Sequence, residues 1–196
     1  SGTRIDHIGG NNLAPVTTVA GVTGKVGNAA AFVRADGDYL TRGSTFQLGD
    51  FAFTLAFWVK LTSIPNAHMA LLTQGATTAA GNFNWVVEAL ANTGQIEATF
   101  GDGFAGVVFS SATLVVDVWT LVIIWHDGAS LNVQLDNGTI DSVSAILQST
   151  TARGTMSFGA TGAGNDPLDG QLDTVILWQR VLSQAERDVI WNGGAG

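Results

Sequence analysis

The chain has 196 residues, of which 46% are hydrophobic and 12% charged, and its formal net charge at pH 7 is −8. This composition supports a large core and one folded domain over residues 1–196, and it argues against a disordered chain or a basic nucleic-acid or membrane surface. No apolar run reaches the length of a membrane span, and the absence of cysteine excludes disulfides, thiolate metal sites and cysteine nucleophiles.

The N-terminal segment 1–16 is rich in turn residues, and we expect it to lie on the surface with at most one short strand. Because the chain begins at Ser1 and not at Met, we expect it to be a processed or excised piece. Residues 26–33 and 39–41 flank the dipeptide Asp36-Gly37, a turn signal that predicts a hairpin.

The segment 53–62 alternates with period two, which predicts a half-buried strand. One face carries Phe53, Leu55, Phe57, Val59 and Leu61. The other face carries Thr54, Ala56, Trp58, Lys60 and Thr62. We expect Trp58 and Lys60 to lie on the wetter side.

Further short strands are predicted at regular intervals along the rest of the chain. They cover residues 67–73, 84–91, 95–100, 104–109, 114–116, 119–126, 131–135, 139–143 and 156–159. Asp136-Asn137-Gly138 forms a tight turn between two of them, which also explains its match to the glycosylation pattern without a sugar. About a dozen short strands predict two packed antiparallel sheets.

The closing segment 168–194 is the most informative part of the chain. Residues 172–181 are apolar on both alternating faces, which predicts a central strand covered on both sides. Ser183 and Glu186 form an S-x-x-E capping box, so we predict a helix over 184–192 that ends at Gly193.

The stretch DGQLDTVILWQRVLSQAE, residues 169–186, resembles the closing signature of the concanavalin A-like, laminin-G-like jelly rolls. Residues 25–42 and 53–63 look like the opening strands of that family. The resemblance implies an all-β fold, an antiparallel two-sheet jelly-roll sandwich with one short C-terminal helix. It implies little about function, because function depends on sites grafted onto folds.

The resemblance also implies a calcium site. In relatives that bind calcium, ligands come from the closing strand and from an early turn, which correspond here to Asp36, Asp38, Asp169 and Asp173. Oxygen ligands of this kind suit Ca²⁺. The alternative is that these residues serve their turns through local hydrogen bonds.

Catalysis is not expected. Glycosidases of this fold carry an E-x-D-x-x-E strand that is missing here, and the chain contains only Glu88, Glu97 and Glu186. A hairpin turn centred at 92–93 would place Glu88 opposite Glu97, where one carboxyl pKa would rise, whereas a one-residue change of register would separate them. We expect the three histidines to be isolated, because His7, His68 and His126 lie in different predicted elements without metal-ligand spacing.

The six tryptophans could pack in the core or stack on sugar rings. We expect Trp119, Trp125 and Trp178 to be core residues. Trp58 and Trp85, with Asn82 and Asn84, are the candidates for a glycan-binding face, although packing explains the two tryptophans equally well.

Two non-catalytic functions follow from these observations. The first is a structural building block of a capsid, tail, fibre or filament, whose partner is another copy of itself or a structural protein. Sparse charge favours it, with segment 1–16 at the contact. The second is a lectin-like glycan-binding module, and a glycoside-active enzyme ranks third. All imply an extracellular, cell-surface or virion location.

Overall fold

The computed structural model describes residues 3, 5, 10, 12–43, 48, 51–75, 83–101, 105–147 and 155–196. Within these residues, fourteen strands form two antiparallel sheets of seven, here called the front sheet and the back sheet. The front sheet contains, in spatial order, β1 (Ala14–Pro15), β4 (Leu40–Gly43), β13 (Thr155–Phe158), β6 (Met69–Gly75), β7 (Phe83–Ala89), β8 (Gln95–Phe100) and β9 (Gly106–Thr113). The back sheet contains β12 (Ile140–Ser144), β11 (Ser130–Leu135), β10 (Thr120–His126), β5 (Phe53–Leu61), β14 (Gly170–Trp178), β3 (Asn28–Phe32) and β2 (Ala20–Thr23). The predicted all-β two-sheet sandwich is confirmed.

The interior between the two sheets is a single apolar cluster, and it follows from period-two alternation in the central strands. The inward face predicted for β5 is confirmed, since Phe53 and Phe57 are fully buried. Their partners across the interior include Val87, Ile96 and Phe100 of the front sheet. Full burial of each large apolar side chain stabilises the fold by roughly 1.5–3 kcal/mol.

The outer face of the back sheet carries a second apolar layer. Its buried members are Ala56, Trp58, Leu121, Ile123 and Trp125, with Trp119, Trp178, Val181, Ile190 and Trp191 packed against them. The expectation that Trp58 lies on a wet side is therefore wrong, because Trp58 is only 1% exposed. Trp119, Trp125 and Trp178 pack in this outer layer and not between the sheets.

Three cationic side chains cover tryptophan rings of this layer. Lys25 Nζ lies 5.0 Å from the centroid of Trp58, and Lys60 Nζ lies 5.2 Å from that of Trp119. The Arg187 guanidinium carbon lies 4.2 Å from the centroid of Trp125. Such cation–π contacts contribute roughly 0.5–2 kcal/mol each and explain how large rings stay packed on an outer face.

The closing strand β14 lies between β5 and β3, as predicted for a central strand. Its Val175 and Leu177 pack against the interior, whereas Trp178 packs against the outer layer. The pairing register with β5 shifts between Asp173 and Ile176, and Thr174 has φ 47°. Ile176 is consequently half-buried and not part of the interior.

The predicted helix forms as α1 (Gln184–Trp191), and its capping box is present. Ser183 Oγ accepts a hydrogen bond from the Glu186 backbone N–H, and Glu186 Oε2 accepts one from the Ser183 N–H. The helix ends at Asn192, whose φ of 47° is left-handed, one residue before the predicted Gly193. Asparagine tolerates that conformation, so it takes the capping position itself.

The predicted hairpin across Asp36-Gly37 is wrong, because β3 belongs to the back sheet and β4 to the front sheet. A short 3₁₀ turn over Arg34–Asp36 and a left-handed Gly37 carry the chain from one sheet to the other. Asp38 holds this crossing, since its carboxylate accepts hydrogen bonds from Thr17 Oγ1 and from the Val33 N–H. A turn signal therefore located the reversal correctly but did not decide which sheet receives the next strand.

The predicted strand over 114–116 is absent, and these residues lie in the turn between β9 and β10. Among the described residues, no helix has the length and apolar character that a membrane span requires.

Candidate functional site

One row of side chains on the outer face of the front sheet combines carboxylates with an exposed aromatic ring. Backbone register places Ala70 beside Glu88, Glu88 beside Glu97, and Glu97 beside Phe109, on the four adjacent strands β6 to β9. On β7 the alternate residues Trp85 and Val87 point to the interior, so Glu88 points outward. We call Glu88, Glu97 and Phe109 the acidic–aromatic row.

The β7–β8 hairpin creates the carboxylate pair. Its turn is closed by the Gly94 N–H donating to the Leu90 carbonyl, and Asn92 and Gly94 have φ of 61° and 69°. Left-handed residues at these two positions set the register that places Glu88 opposite Glu97. The predicted pairing of the two glutamates is confirmed.

Burial raises the pKa of Glu88 above its usual range, and the charges of Glu97 and Asp166 add to the rise. A hydrogen bond between His68 Nδ1 and Glu88 Oε1, 3.1 Å long, acts in the opposite direction. Desolvation is the largest cause, which agrees with a Glu88 residue that is 6% exposed. The expectation that His68 is isolated is therefore wrong.

Glu97 and Phe109 form the more accessible end of the row. Glu97 Oε1 accepts a hydrogen bond of 2.9 Å from Thr99 Oγ1, which orients the carboxylate. Phe109 lies on the edge strand β9 with 45% of its surface exposed, while its neighbour Val108 is buried. The alternation in residues 106–110 contained this signal, but the sequence does not say that this edge lies beside the two glutamates.

A second row runs parallel to the first and carries hydroxyl groups. Direct register partners connect Thr41, Ser157, Thr73, Val86, Thr99 and Val107 across six strands. Ser157, Thr73 and Thr99 are almost completely buried, and Thr73 Oγ1 donates to the Ala160 carbonyl. Four of these six residues carry hydroxyl groups, and the acidic–aromatic row lies beside them on the same face.

The residues proposed as a glycan face are not brought together. Trp58 lies in the outer layer of the back sheet, whereas Trp85 is buried in the interior, stacks on Phe100 and donates from Nε1 to Gln74 Oε1. Asn84 lies on the same side of β7 as Glu88 but is 1% exposed. Asn82 lies outside the described residues.

Three of the four aspartates proposed as calcium ligands, Asp38, Asp169 and Asp173, accept hydrogen bonds from protein donors. Asp173 Oδ2 accepts from the Val26 N–H at 2.8 Å, so the buried charge on β14 has the partner that its position requires. Asp169 Oδ2 accepts from Ser63 Oγ, and Asp38 closes the crossing described above. Among the residues that the structure describes, no group of three or more His, Cys, Asp or Glu is arranged to hold a metal. Calcium binding stays a prediction.

His126 is buried, and its Nε2 lies 2.9 Å from the Ala145 carbonyl oxygen, which indicates a structural role. His7 lies outside the described residues.

Comparison with known proteins agrees with this architecture. The family model described as "Concanavalin A-like lectin/glucanases superfamily" matches residues 34–186. No protein with a curated description matches the chain in sequence.

Three solved structures illustrate the similarity. The binding domain of Paraclostridial Mosquitocidal Protein 1 has a TM-score of 0.71 at 16% identity, covering 98% of this chain and 51% of that one. Domain 4 of AbnA, an extracellular arabinanase from Geobacillus stearothermophilus solved with arabinotriose, has 0.66 at 17%, covering 97% and 85%. The ligand binding domain of botulinum neurotoxin serotype D, solved with N-acetylneuraminic acid, has 0.66 at 13%, covering 97% and 50%. The chain thus spans about half the length of the toxin domains, and at these identities the likeness shows the fold alone.

Proposed function

Because this chain belongs to the concanavalin A-like lectin/glucanases superfamily, we propose that it is a non-catalytic glycan-binding module that binds sugars on the outer face of the front sheet. The observation that carries the proposal is the acidic–aromatic row. We further propose that it acts outside the cell, as the description of the arabinanase states for that protein.

The row offers the two kinds of contact that a sugar ring needs. The accessible carboxylate of Glu97 accepts hydrogen bonds from hydroxyl groups, with the nearly buried Glu88 behind it, and such charge-assisted bonds are about twice as strong as neutral ones. The exposed face of Phe109 packs against the apolar C–H side of a ring. Similar folds supply support of the same kind, since one of them was solved with arabinotriose and another with N-acetylneuraminic acid.

A titration with neutral oligosaccharides tests this function. We expect arabino- or galacto-oligosaccharides to release or absorb heat in calorimetry, and Phe109→Ala to weaken binding by about tenfold, the value of one aromatic contact. Val189→Ala is the matched control, because Val189 is an exposed apolar residue on α1, at the opposite sheet. Unchanged affinity in Phe109→Ala, or no binding by the native chain, would contradict the proposal.

A structural building block is the second candidate. It is favoured by an exposed valine turn between β9 and β10, in which Val115, Val116 and Val118 are 57%, 37% and 49% exposed. Adjacent exposed apolar residues of this kind mark contact surfaces.

Sedimentation separates the two candidates. Removing residues 1–12 should leave a folded protein, because the first described core residue is Leu13. If the chain assembles through its N-terminal segment, this truncated protein should self-associate less than the full chain. A chain that stays monomeric at high micromolar concentration, with or without those residues, is a solitary binding module.

A further inference from the structure

We propose that the acidic–aromatic row selects neutral glycans and excludes glycans that carry carboxylate or sulfate groups. This inference rests on the proposed function and specifies the ligand class of the same face.

Negative charge is concentrated where a ligand would contact the row. Glu88 and Glu97 are direct partners on two adjacent strands. Glu88 is nearly buried, so its charge is poorly screened by solvent. A ligand anion beside this pair would be repelled by more than one carboxylate at short range.

Among the described lysines and arginines, only Arg34 contacts a neighbour of the Glu88–Glu97 pair, through the backbone carbonyl of His68. Lys25, Lys60 and Arg187 cover tryptophans of the back sheet, and Arg180 forms an ion pair with Glu186. These four cations therefore lie on the other side of the sandwich.

The two described arginines nearer the front sheet are engaged with the backbone or lie on the inward side of their strand. Arg34 Nη1 donates to the carbonyl oxygens of His68 and Pro167. Arg42 pairs with the inward Met156, on the opposite side of β4 from the outward Thr41. His68, whose ring bonds to Glu88, provides a cation only when it is protonated.

The groups in the acidic–aromatic row determine which ligand groups can bind there. Proteins bind carboxylates and sulfates through arginine forks, lysines or clustered N–H donors. The acidic–aromatic row instead presents hydrogen-bond acceptors and an apolar ring, which match hydroxyl donors and C–H groups. A neutral sugar can donate hydrogen bonds to the carboxylates and pack its C–H groups on the ring without placing a second negative charge beside them.

A matched pair of ligands tests the inference. Galacto-oligosaccharides and galacturono-oligosaccharides of equal length differ mainly by a hydroxymethyl group in place of a carboxylate. At low ionic strength we expect the neutral series to bind more tightly than the acidic series by about tenfold or more. This affinity ratio should decrease as salt screens the repulsion. Glu97→Gln should reduce the affinity ratio, and the double variant Glu88→Gln/Glu97→Gln should remove it.

Asp188→Asn is the control for Glu97→Gln, because it changes the net charge equally but lies on α1 over the back sheet. Asp188→Asn should leave the ratio of neutral to acidic affinity unchanged. If acidic oligosaccharides bind as tightly as neutral ones, or more tightly, the inference is overturned while the proposed function stands. If neither series binds, the proposed function fails and the inference fails with it.

Discussion

The pKa of Glu88 depends on both its burial and its neighbours. It is a carboxyl group that is nearly buried, faces Glu97 across the hairpin and bonds to His68. Because desolvation and like charge disfavour its ionised form, folding becomes less favourable once Glu88 must ionise.

This residue predicts a pH dependence. The folded pKa of Glu88 is raised, so the folded state holds the proton more strongly, and stability falls as pH rises from the unfolded value near 4.5 through the raised folded value. Glu88→Gln removes this loss. Denaturant titration measures the free energy of unfolding. The difference between Glu88→Gln and the native protein should increase in favour of the variant as pH rises through that window, and it should stay constant above it.

The control is Asp188→Asn, which changes an exposed carboxylate and should run parallel to the native protein. A difference between native protein and Glu88→Gln that is independent of pH would contradict the raised pKa.

The carboxylate pair also raises the question of catalysis, and we predict none. The two glutamates lie on neighbouring strands, without the third carboxylate of the E-x-D-x-x-E motif, and the similar structures reported above are described as binding domains or as a domain of an arabinanase. We expect no release of reducing sugar from polysaccharides above buffer. Turnover that disappears in Glu88→Gln or Glu97→Gln would show that the chain is an enzyme.

At the scale of elements, α1 is a short helix that depends on its contact with the back sheet. An isolated helix of eight residues is unstable in water, so tertiary packing has to hold it. Arg187 makes that contact: it stacks on Trp125 and donates hydrogen bonds to Gln134 Oε1 and to the Leu182 carbonyl. Burial lowers the pKa of its guanidinium, but the group stays charged at all ordinary pH values.

Replacing this arginine should loosen the helix. We expect Arg187→Ala to lower the free energy of unfolding by about 2–3 kcal/mol, because buried acceptors lose their donors and Trp125 loses its cover. Val189→Ala, at a position 76% exposed on the same helix, should change it by less than about 0.5 kcal/mol. Thermal or denaturant unfolding measures both, and equal effects would mean that Arg187 is not the anchor.

At the scale of the whole molecule, acidic side chains close the joints between the sheets and their connections. Asp38 fixes the crossing from β3 to β4, Asp173 holds the turn before β3, and Asp169 bonds to Ser63 beyond β5. Gly24 shows how close one joint is, since a Cβ there would lie 2.4 Å from Asp173 Oδ2. The net charge of −8 is therefore partly structural.

Calcium binding at these aspartates, together with Asp36, is the prediction at this scale. If the ion binds, free calcium at about 100 times its Kd should stabilise the fold by about 2.7 kcal/mol and raise Tm. Asp36→Asn should reduce that shift. A Tm that responds to neither a chelator nor added calcium would remove the metal site.

The sequence by itself determined the local elements. Alternation in 53–61 specified the inward face of β5, and the capping box specified where α1 begins. These two features depend on neighbours along the chain, so periodicity and capping chemistry are sufficient to predict them. The register of Glu88 and Glu97 depended on the centre of the hairpin turn, which the sequence left open between neighbouring positions.

The tertiary structure decided what covers each face and which strands meet. Trp58 was expected to be wet, but Lys25 covers its ring and residues of α1 pack against the same outer layer. The chain reversal at Gly37 changes sheets, and Phe109 reaches Glu97 only because β9 pairs with β8. Burial and site assembly depend on contacts between residues far apart in sequence, and a local pattern carries no information about its distant partner.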